Sequence, residues 1–148
     1  MLLEELLELA RDNDMELAIE TKHPVPQGSL VEKKVLELLE QEELETDVVL
    51  MSFSWLALEN IRKTNPQQKT VALLHERWNY LMQRFSSAPI LGPSVEYLRS
   101  NPELTHESKP LYVWTVDDAD DMRFCLENGV EVLITNNPSF ARKVLGYH

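Results

Sequence analysis

Glu20 and Lys22 stand two residues apart at the end of Met15-Glu-Leu-Ala-Ile-Glu-Thr-Lys22, a stretch in which apolar and polar residues alternate. On a strand that spacing puts both side chains on one face, about 7 Å apart. Leu17 and Ile19 share the opposite face. A carboxylate beside an ammonium can ligate a hard cation and steady a phosphoryl oxygen. A structural ion pair or a solvated strand end has the same spacing, and the pattern alone leaves these open. Further polar residues follow apolar runs at Ser52-Phe53-Ser54, His75-Glu76, Trp114-Thr115 and Thr135-Asn136-Asn137. Trp114 is either a core residue or a substrate platform. His23, just before Pro24, and His75 are weaker ligand candidates, while His106 and His148 receive no role. No HExxH, CxxC, GxSxG or EF-hand spacing occurs, so neither a zinc protease nor a serine hydrolase is indicated.

The elements that must hold these residues repeat a strand–helix rhythm. Leu2, Leu3, Leu6, Leu9 and Ala10 recur at helical spacing ahead of the strand that ends in Glu20. Pro24 to Gly28 breaks the pattern, and Leu30 to Leu39 forms a helical stripe. Val48 to Phe53 is a continuously apolar run, as expected of a parallel strand buried on both faces. A helix is expected over Leu56 to Lys63, a strand over Thr70 to His75, and a short helix over Trp78 to Phe85. Ala88 to Gly92 reads as a weak strand, Val95 to Arg99 as a helix, and the stretch up to Pro110 as a polar loop. Leu111 to Val116 and Val130 to Thr135 are the last two strands, each followed by a helix. Asp117 is the expected N-cap of the first of these helices, Pro138 lies in the first turn of the second, and Gly129 supplies the stop between the units.

Repeated strand–helix units without hairpin signals imply a parallel sheet, either open and doubly wound or closed into a barrel. With four glycines and no GxGxxG or GxxxxGK[ST], nothing supports a dinucleotide or P-loop site. In a barrel, the carboxyl ends of the strands carry the chemistry, which makes the polar residues named above candidates by position.

A formal charge of −11 argues against a nucleic-acid surface or an anionic membrane, because phosphate binding needs clustered Lys and Arg. No apolar run approaches the roughly 20 residues of a membrane span. The single cysteine, Cys125, excludes an internal disulfide framework and has the spacing of a buried helical core residue. The acidic amphipathic segment Met1 to Arg11 does not resemble a secretory signal, so the expected location is cytoplasmic.

Four blocks carry a family resemblance. Leu17-Ala-Ile-Glu-Thr-Lys-His-Pro24, Met51-Ser-Phe53, Tyr112-Val-Trp-Thr-Val116 and Ile134-Thr-Asn-Asn-Pro138 resemble successive blocks of the glycerophosphodiester phosphodiesterases, in order and at sensible separations. The resemblance covers essentially the whole chain. It implies a TIM-type (β/α) barrel that hydrolyses glycerophosphodiesters to sn-glycerol 3-phosphate and an alcohol with Ca²⁺ or Mg²⁺. By position Glu20 is similar to the family's metal-ligating glutamate, Lys22 to its phosphate-contacting catalytic lysine, and Trp114 to the tryptophan lining the substrate pocket. Phe53 falls in a recurring block and is carried as substrate-binding. Asn137 departs from the arginine often found before that proline.

The family's opening His-Arg-Gly, Glu-x-Asp and His-Asp motifs do not occur before Glu20, and none of the four histidines is followed by Arg or Asp. A full TIM barrel takes roughly 250 residues and eight strands, whereas about six strands are legible here. The expected architecture over residues 1–148 is therefore a single, partial barrel domain lacking its first two strands, the C-terminal portion of the enzyme and inactive alone. The open sheet edges and apolar interior predict self-association. The alternatives are a non-catalytic barrel remnant that binds or complements a partner, and a different phosphodiesterase or sugar-binding activity built on Glu20, Lys22 and the histidines alone.

Overall fold

The computed structural model describes residues 2–22, 30–41, 48–75 and 80–147, with two compact units in the contact pattern. His23, the break at Pro24 to Gly28, Glu76, Trp78 and His148 lie outside the described residues.

The first unit comprises residues 1–72 with Ser86–Ala88. Helix α1 (Leu3–Asp12) starts where the Glu5 carboxylate accepts the Leu2 N–H at 2.8 Å, and it buries Leu7 and Ala10. Strand β1 (Leu17–Glu20) is shorter than the alternating stretch, but its faces are as expected. Leu17 and Ile19 pack against a cluster of Leu7, Val35, Leu36, Val48, Leu50 and Ile61, while Ala18 and Glu20 are exposed. Helix α2 (Leu30–Gln41) contributes Val35 and Leu36 to that cluster. Strand β2 (Val48–Ser52) is buried at every position. Helix α3 (Trp55–Thr64) begins at Ser54, whose hydroxyl accepts the Ala57 N–H at 3.2 Å, and carries Arg62 and Lys63 in its last turn. Those charges suit the negative end of the helix dipole. Strand β3 (Thr70–Leu74) is also fully buried.

Both pairings in this unit are parallel. Leu17 to Glu20 run beside Val48 to Met51, and Leu50 to Ser52 beside Thr70 to Ala72. Short apolar strands alternating with helices have this outcome, because only crossover helices can cover both faces of a parallel sheet.

The second unit comprises Leu73–Phe85 and Pro89–His148. It holds α4 (Tyr80–Phe85), β4 (Ile90–Pro93), α5 (Val95–Ser100), β5 (Tyr112–Val113), α6 (Ala119–Glu127), β6 (Val132–Leu133) and α7 (Pro138–Leu145). Ser94 donates its N–H to the Leu74 carbonyl at 2.7 Å, and β5 pairs in parallel with β6. Two strands are shorter than the sequence suggests. The extended run Leu111–Trp114 divides its pairing: Leu111 and Trp114 bridge to Leu91 and Ser94, and Tyr112 and Val113 pair with Val132 and Leu133. The expected polar loop contains a 3₁₀ turn, Pro102–His106, which Leu104 anchors by complete burial.

Asp117 is not the cap of α6. Asp118 is, accepting the Asp120 N–H at 2.8 Å. Asp117 instead reaches to the segment after β6, where its Oδ1 accepts the Thr135 hydroxyl and the Asn136 N–H and its Oδ2 accepts the Asn136 amide, all within 2.8 Å. Hydrogen bonds from the Asn136 amide and N–H, and then from Thr135, hold its carboxyl below the usual 3.8. Gly129, at φ +69°, ends α6 in the left-handed conformation that glycine adopts without strain. Pro138 opens α7 behind an Asn137 cap. Cys125 is buried at 1% exposure, and burial, with the Asp121 charge adding, pushes its thiol up to about 11. No helix among the described residues is long and apolar enough to cross a membrane.

Leu50 is fully buried and Leu56 is 72% exposed. Urea unfolding of Leu50→Ala should show a loss of about 2–5 kcal/mol, while Leu56→Ala should stay within about 0.5 kcal/mol. Equal losses at the two positions would contradict the packing. Asp117 has a folded value below its unfolded one, so its contribution to stability is complete above pH 3.8 and is lost as the pH falls through the lower folded value. The melting temperature of Asp117→Ala should lie below that of the wild type at neutral pH and converge with it in acid. A gap unchanged by pH would show that the ionised carboxylate holds nothing.

Candidate functional site

Parallel pairing carries the chain past the end of β1. Glu20 stands opposite Met51, and the next residue continues the ladder, with the Thr21 N–H donating to the Met51 carbonyl at 2.9 Å. The Ser52 hydroxyl, fully buried, then donates to the Thr21 carbonyl at 3.2 Å and accepts the Ser54 N–H at 3.2 Å. One serine at the end of β2 therefore ties the backbone between Glu20 and Lys22 to the turn that opens α3.

Around that tie lies an open cleft of about 410 Å³ lined by Glu20, Thr21, Lys22, Ser52, Phe53 and Ser54. Glu20 and Lys22 are exposed, and Phe53 is 41% exposed. Thr21 is buried, and its Oγ1 has no hydrogen-bond partner among the described residues. A buried hydroxyl in that state is uncommon, since most such groups find a partner. Glu20 and Lys22, picked out as a pair in the sequence, and Phe53, picked out apart from them, thus line one cleft at the carboxyl ends of two adjacent parallel strands.

Trp114 belongs to the second unit. It follows β5, where its indole N–H donates to the Gly92 carbonyl at 2.7 Å and its peptide bond to Thr115 is cis. The ring is partly buried and meets His75 edge-on, with centroids 6.1 Å apart and planes at 77°. A tryptophan whose N–H is satisfied by backbone has a fixed ring orientation.

The donor set can be compared with what a divalent cation needs. Ca²⁺ takes six to eight oxygens and Mg²⁺ near-ideal octahedral geometry. Among the described residues no group of three or more His, Cys, Asp or Glu side chains could hold a metal ion. Glu20 supplies one carboxylate to the cleft, so the described residues do not by themselves fit such an ion.

Three features of the cleft and of the start of α3 escape a reading of the sequence. Thr21 lies on the apolar face of β1, where it reads as a strand-end polar residue. Ser52 closes an apolar run with no local sign of a partner 31 residues away. Trp55 is held by its own helix: its indole N–H donates at 2.9 Å to Glu59, which also accepts the Ser87 N–H at 2.9 Å. Burial pushes the Glu59 carboxyl up, but the hydrogen bonds from Ser87 and Trp55 and the Arg62 charge outweigh it and leave the group below its usual value.

The sequence matches the profile of the Glycerophosphoryl diester phosphodiesterase family over residues 1–140. It is 36% identical over 138 residues to a protein of Mycobacterium tuberculosis named probable glycerophosphodiester phosphodiesterase 1, covering 84% of this chain and 50% of that one. It is 29% identical over 145 residues to a glycerophosphodiester phosphodiesterase of Caldanaerobacter subterraneus subsp. tengcongensis, covering 90% and 57%. The chain spans about half the length of these curated relatives. Among solved structures, a glycerophosphodiester phosphodiesterase from Parabacteroides distasonis matches 97% of this chain and 63% of its own at a TM-score of 0.84 and 21% identity. An Oleispira antarctica phosphodiesterase, solved with the product sn-glycerol-3-phosphate, matches 97% and 60% at 0.83 and 14%. At those identities the likeness is one of fold, an α/β fold with parallel strands similar to the barrels of these enzymes. With residues 1–140 of its 148 matched by the family profile, the chain belongs to the glycerophosphoryl diester phosphodiesterase family.

Proposed function

We propose that this chain is part of a metal-dependent glycerophosphodiester phosphodiesterase, a hydrolase releasing sn-glycerol 3-phosphate and an alcohol. On this reading residues 1–148 form one partial barrel domain, the C-terminal portion of a (β/α) barrel. The observation that carries the proposal is the joint placement of Glu20, Lys22 and Phe53 on one cleft at the strand ends of a chain in this family.

Each residue has a distinct task. The Lys22 ammonium faces a non-bridging phosphoryl oxygen and offsets the negative charge that builds as water adds to phosphorus and the P–O bond to the alcohol breaks. Glu20 would offer one carboxylate to a Ca²⁺ or Mg²⁺ ion, which would need its further oxygen ligands from beyond the described residues. Phe53 gives the glycerol carbons apolar surface in the cleft, and Trp114 is the second unit's own candidate for substrate contact. The groups that deliver and remove protons are not among these residues, so this chain alone should not turn over substrate.

A second reading, a non-catalytic module that complements a partner, is favoured by the single carboxylate in the cleft. Among the described residues β1 pairs with β2 alone, so its other edge is available to a further strand. Size-exclusion chromatography of the chain should accordingly show self-association; a monodisperse monomer would remove the open-edge reading.

Release of sn-glycerol 3-phosphate from glycerophosphocholine, with Ca²⁺ or Mg²⁺ present, tests the main proposal in a protein that joins this chain to a complete barrel. Glu20→Gln and Lys22→Met should each lower kcat by roughly 100-fold or more, the scale seen when one stabilising group is removed from a charged transition state. Turnover within threefold of wild type in both variants would sink the assignment.

A further inference from the structure

We infer that Asp117 is a positioning residue, whose carboxylate fixes the exit of β5 through Thr135 and Asn136 and so holds Trp114 ready for substrate. The inference rests on the proposed phosphodiesterase reading and adds to it the means by which the second unit orients its own candidate for substrate contact.

The chain leaving β5 is gripped from two sides. On one side Trp114 is tied to the end of β4. Its backbone N–H donates to the Pro93 carbonyl at 3.2 Å, its indole N–H donates to the Gly92 carbonyl at 2.7 Å, and its carbonyl accepts the Val95 N–H at 2.7 Å. Further along, the grip passes to the end of β6. The Val116 N–H donates to the Ile134 carbonyl at 2.8 Å, and the Asp117 carboxylate accepts the Thr135 hydroxyl, the Asn136 N–H and the Asn136 amide. Thr115, exposed, lies between the two grips. All of these residues belong to the second unit.

The core does not need the Asp117 bonds. Asp117, Asn136 and Asn137 are exposed, and α6 is capped by Asp118. What the carboxylate orders is the loop after β6. Thr135, having donated to Asp117, accepts the Asn137 N–H at 3.1 Å, and the Asn137 side chain accepts the Phe140 N–H at 3.1 Å in the first turn of α7. A continuous series of bonds thus runs from the exit of β5 to the start of α7. Bonds to an ionised acceptor are about twice as strong as neutral ones. At an exposed loop they govern local order more than global unfolding. Loops at the carboxyl ends of barrel strands carry the substrate contacts, and a group held in place beforehand loses less freedom on binding.

The test is made on the joined protein described above. Ordering one side chain costs a binder roughly two- to tenfold in affinity. Asp117→Ala should therefore raise KM for glycerophosphocholine by about that factor and leave kcat within about twofold. Asp117→Asn keeps an oxygen for the Thr135 hydroxyl and the Asn136 N–H, and it should recover most of the loss. Asn136→Ala removes one of the three bonds and should raise KM by less. Added to Asp117→Ala it should change nothing further, because both act through one contact. Asp121→Ala removes the tie from Arg99 elsewhere in the same unit and should leave KM as it is. An unchanged KM in Asp117→Ala, a double variant whose effects add, or an equal rise in Asp121→Ala would overturn the inference. If the parent protein does not hydrolyse glycerophosphocholine, the phosphodiesterase reading fails and fluorescence decides the inference. Trp55→Phe with Trp78→Phe leaves Trp114 as the one tryptophan of the three in this chain. In that background acrylamide quenching should rise in Asp117→Ala and fall back in Asp117→Asn; equal quenching in all three proteins overturns the inference.

Discussion

The register of β1 on β2 is the constraint on which the cleft depends. Leu17 and Ile19 are drawn onto the apolar cluster, which obliges Ala18 and Glu20 to face away from it. A slip of one residue would exchange the two faces, placing Glu20 on the cluster and Ile19 or Thr21 in the cleft. The buried strand β2 sets the depth at which β1 docks, and the Ser52 hydroxyl secures the first residue beyond it. Hydrophobic burial selects the face, and two hydrogen bonds past the strand end determine how the chain leaves it. Lys22 inherits its position from both.

The second unit settles the ends of its strands by local polar ties more than by long ladders. Trp114 is oriented by one bond to Gly92, and Asp117 holds the segment after β6 through three bonds. Two-residue strands suffice because neighbouring residues find partners on the other side. Irregular backbone at the carboxyl ends of strands is where βα folds tolerate variation in chemistry. In this family that makes the residues after each strand informative, while the apolar strands and helix faces report mainly on packing.

Much of the architecture is legible from residue order. The stripe in α2, the helix expected over Leu56 to Lys63, and the unbroken apolar runs of β2 and β3 predict elements close to those found, because periodicity acts over a few residues. Glu20 and Lys22 are legible as a pair for the same reason. The 3₁₀ turn around Leu104 is not, since its polar composition matches a loop and only burial of one leucine orders it. Asp117 reads as the cap of α6 in the sequence, but Asp118 takes that place while Asp117 is held by Thr135 and Asn136 of the segment after β6.

The sequence by itself determined the order of strands and helices, the opposed faces of β1, and the residue types able to meet a phosphate and a cation. These follow from local periodicity, and the matching family blocks extend them. Tertiary structure alone decided that Thr21 lies buried beside the cleft, that Ser52 grips its carbonyl, and that Trp55 is pinned at the start of α3 through Glu59 and Ser87. Those partners lie up to 31 residues apart. A hydrogen bond over that separation has no local signature, and it forms only after burial of the apolar faces has brought the two segments together.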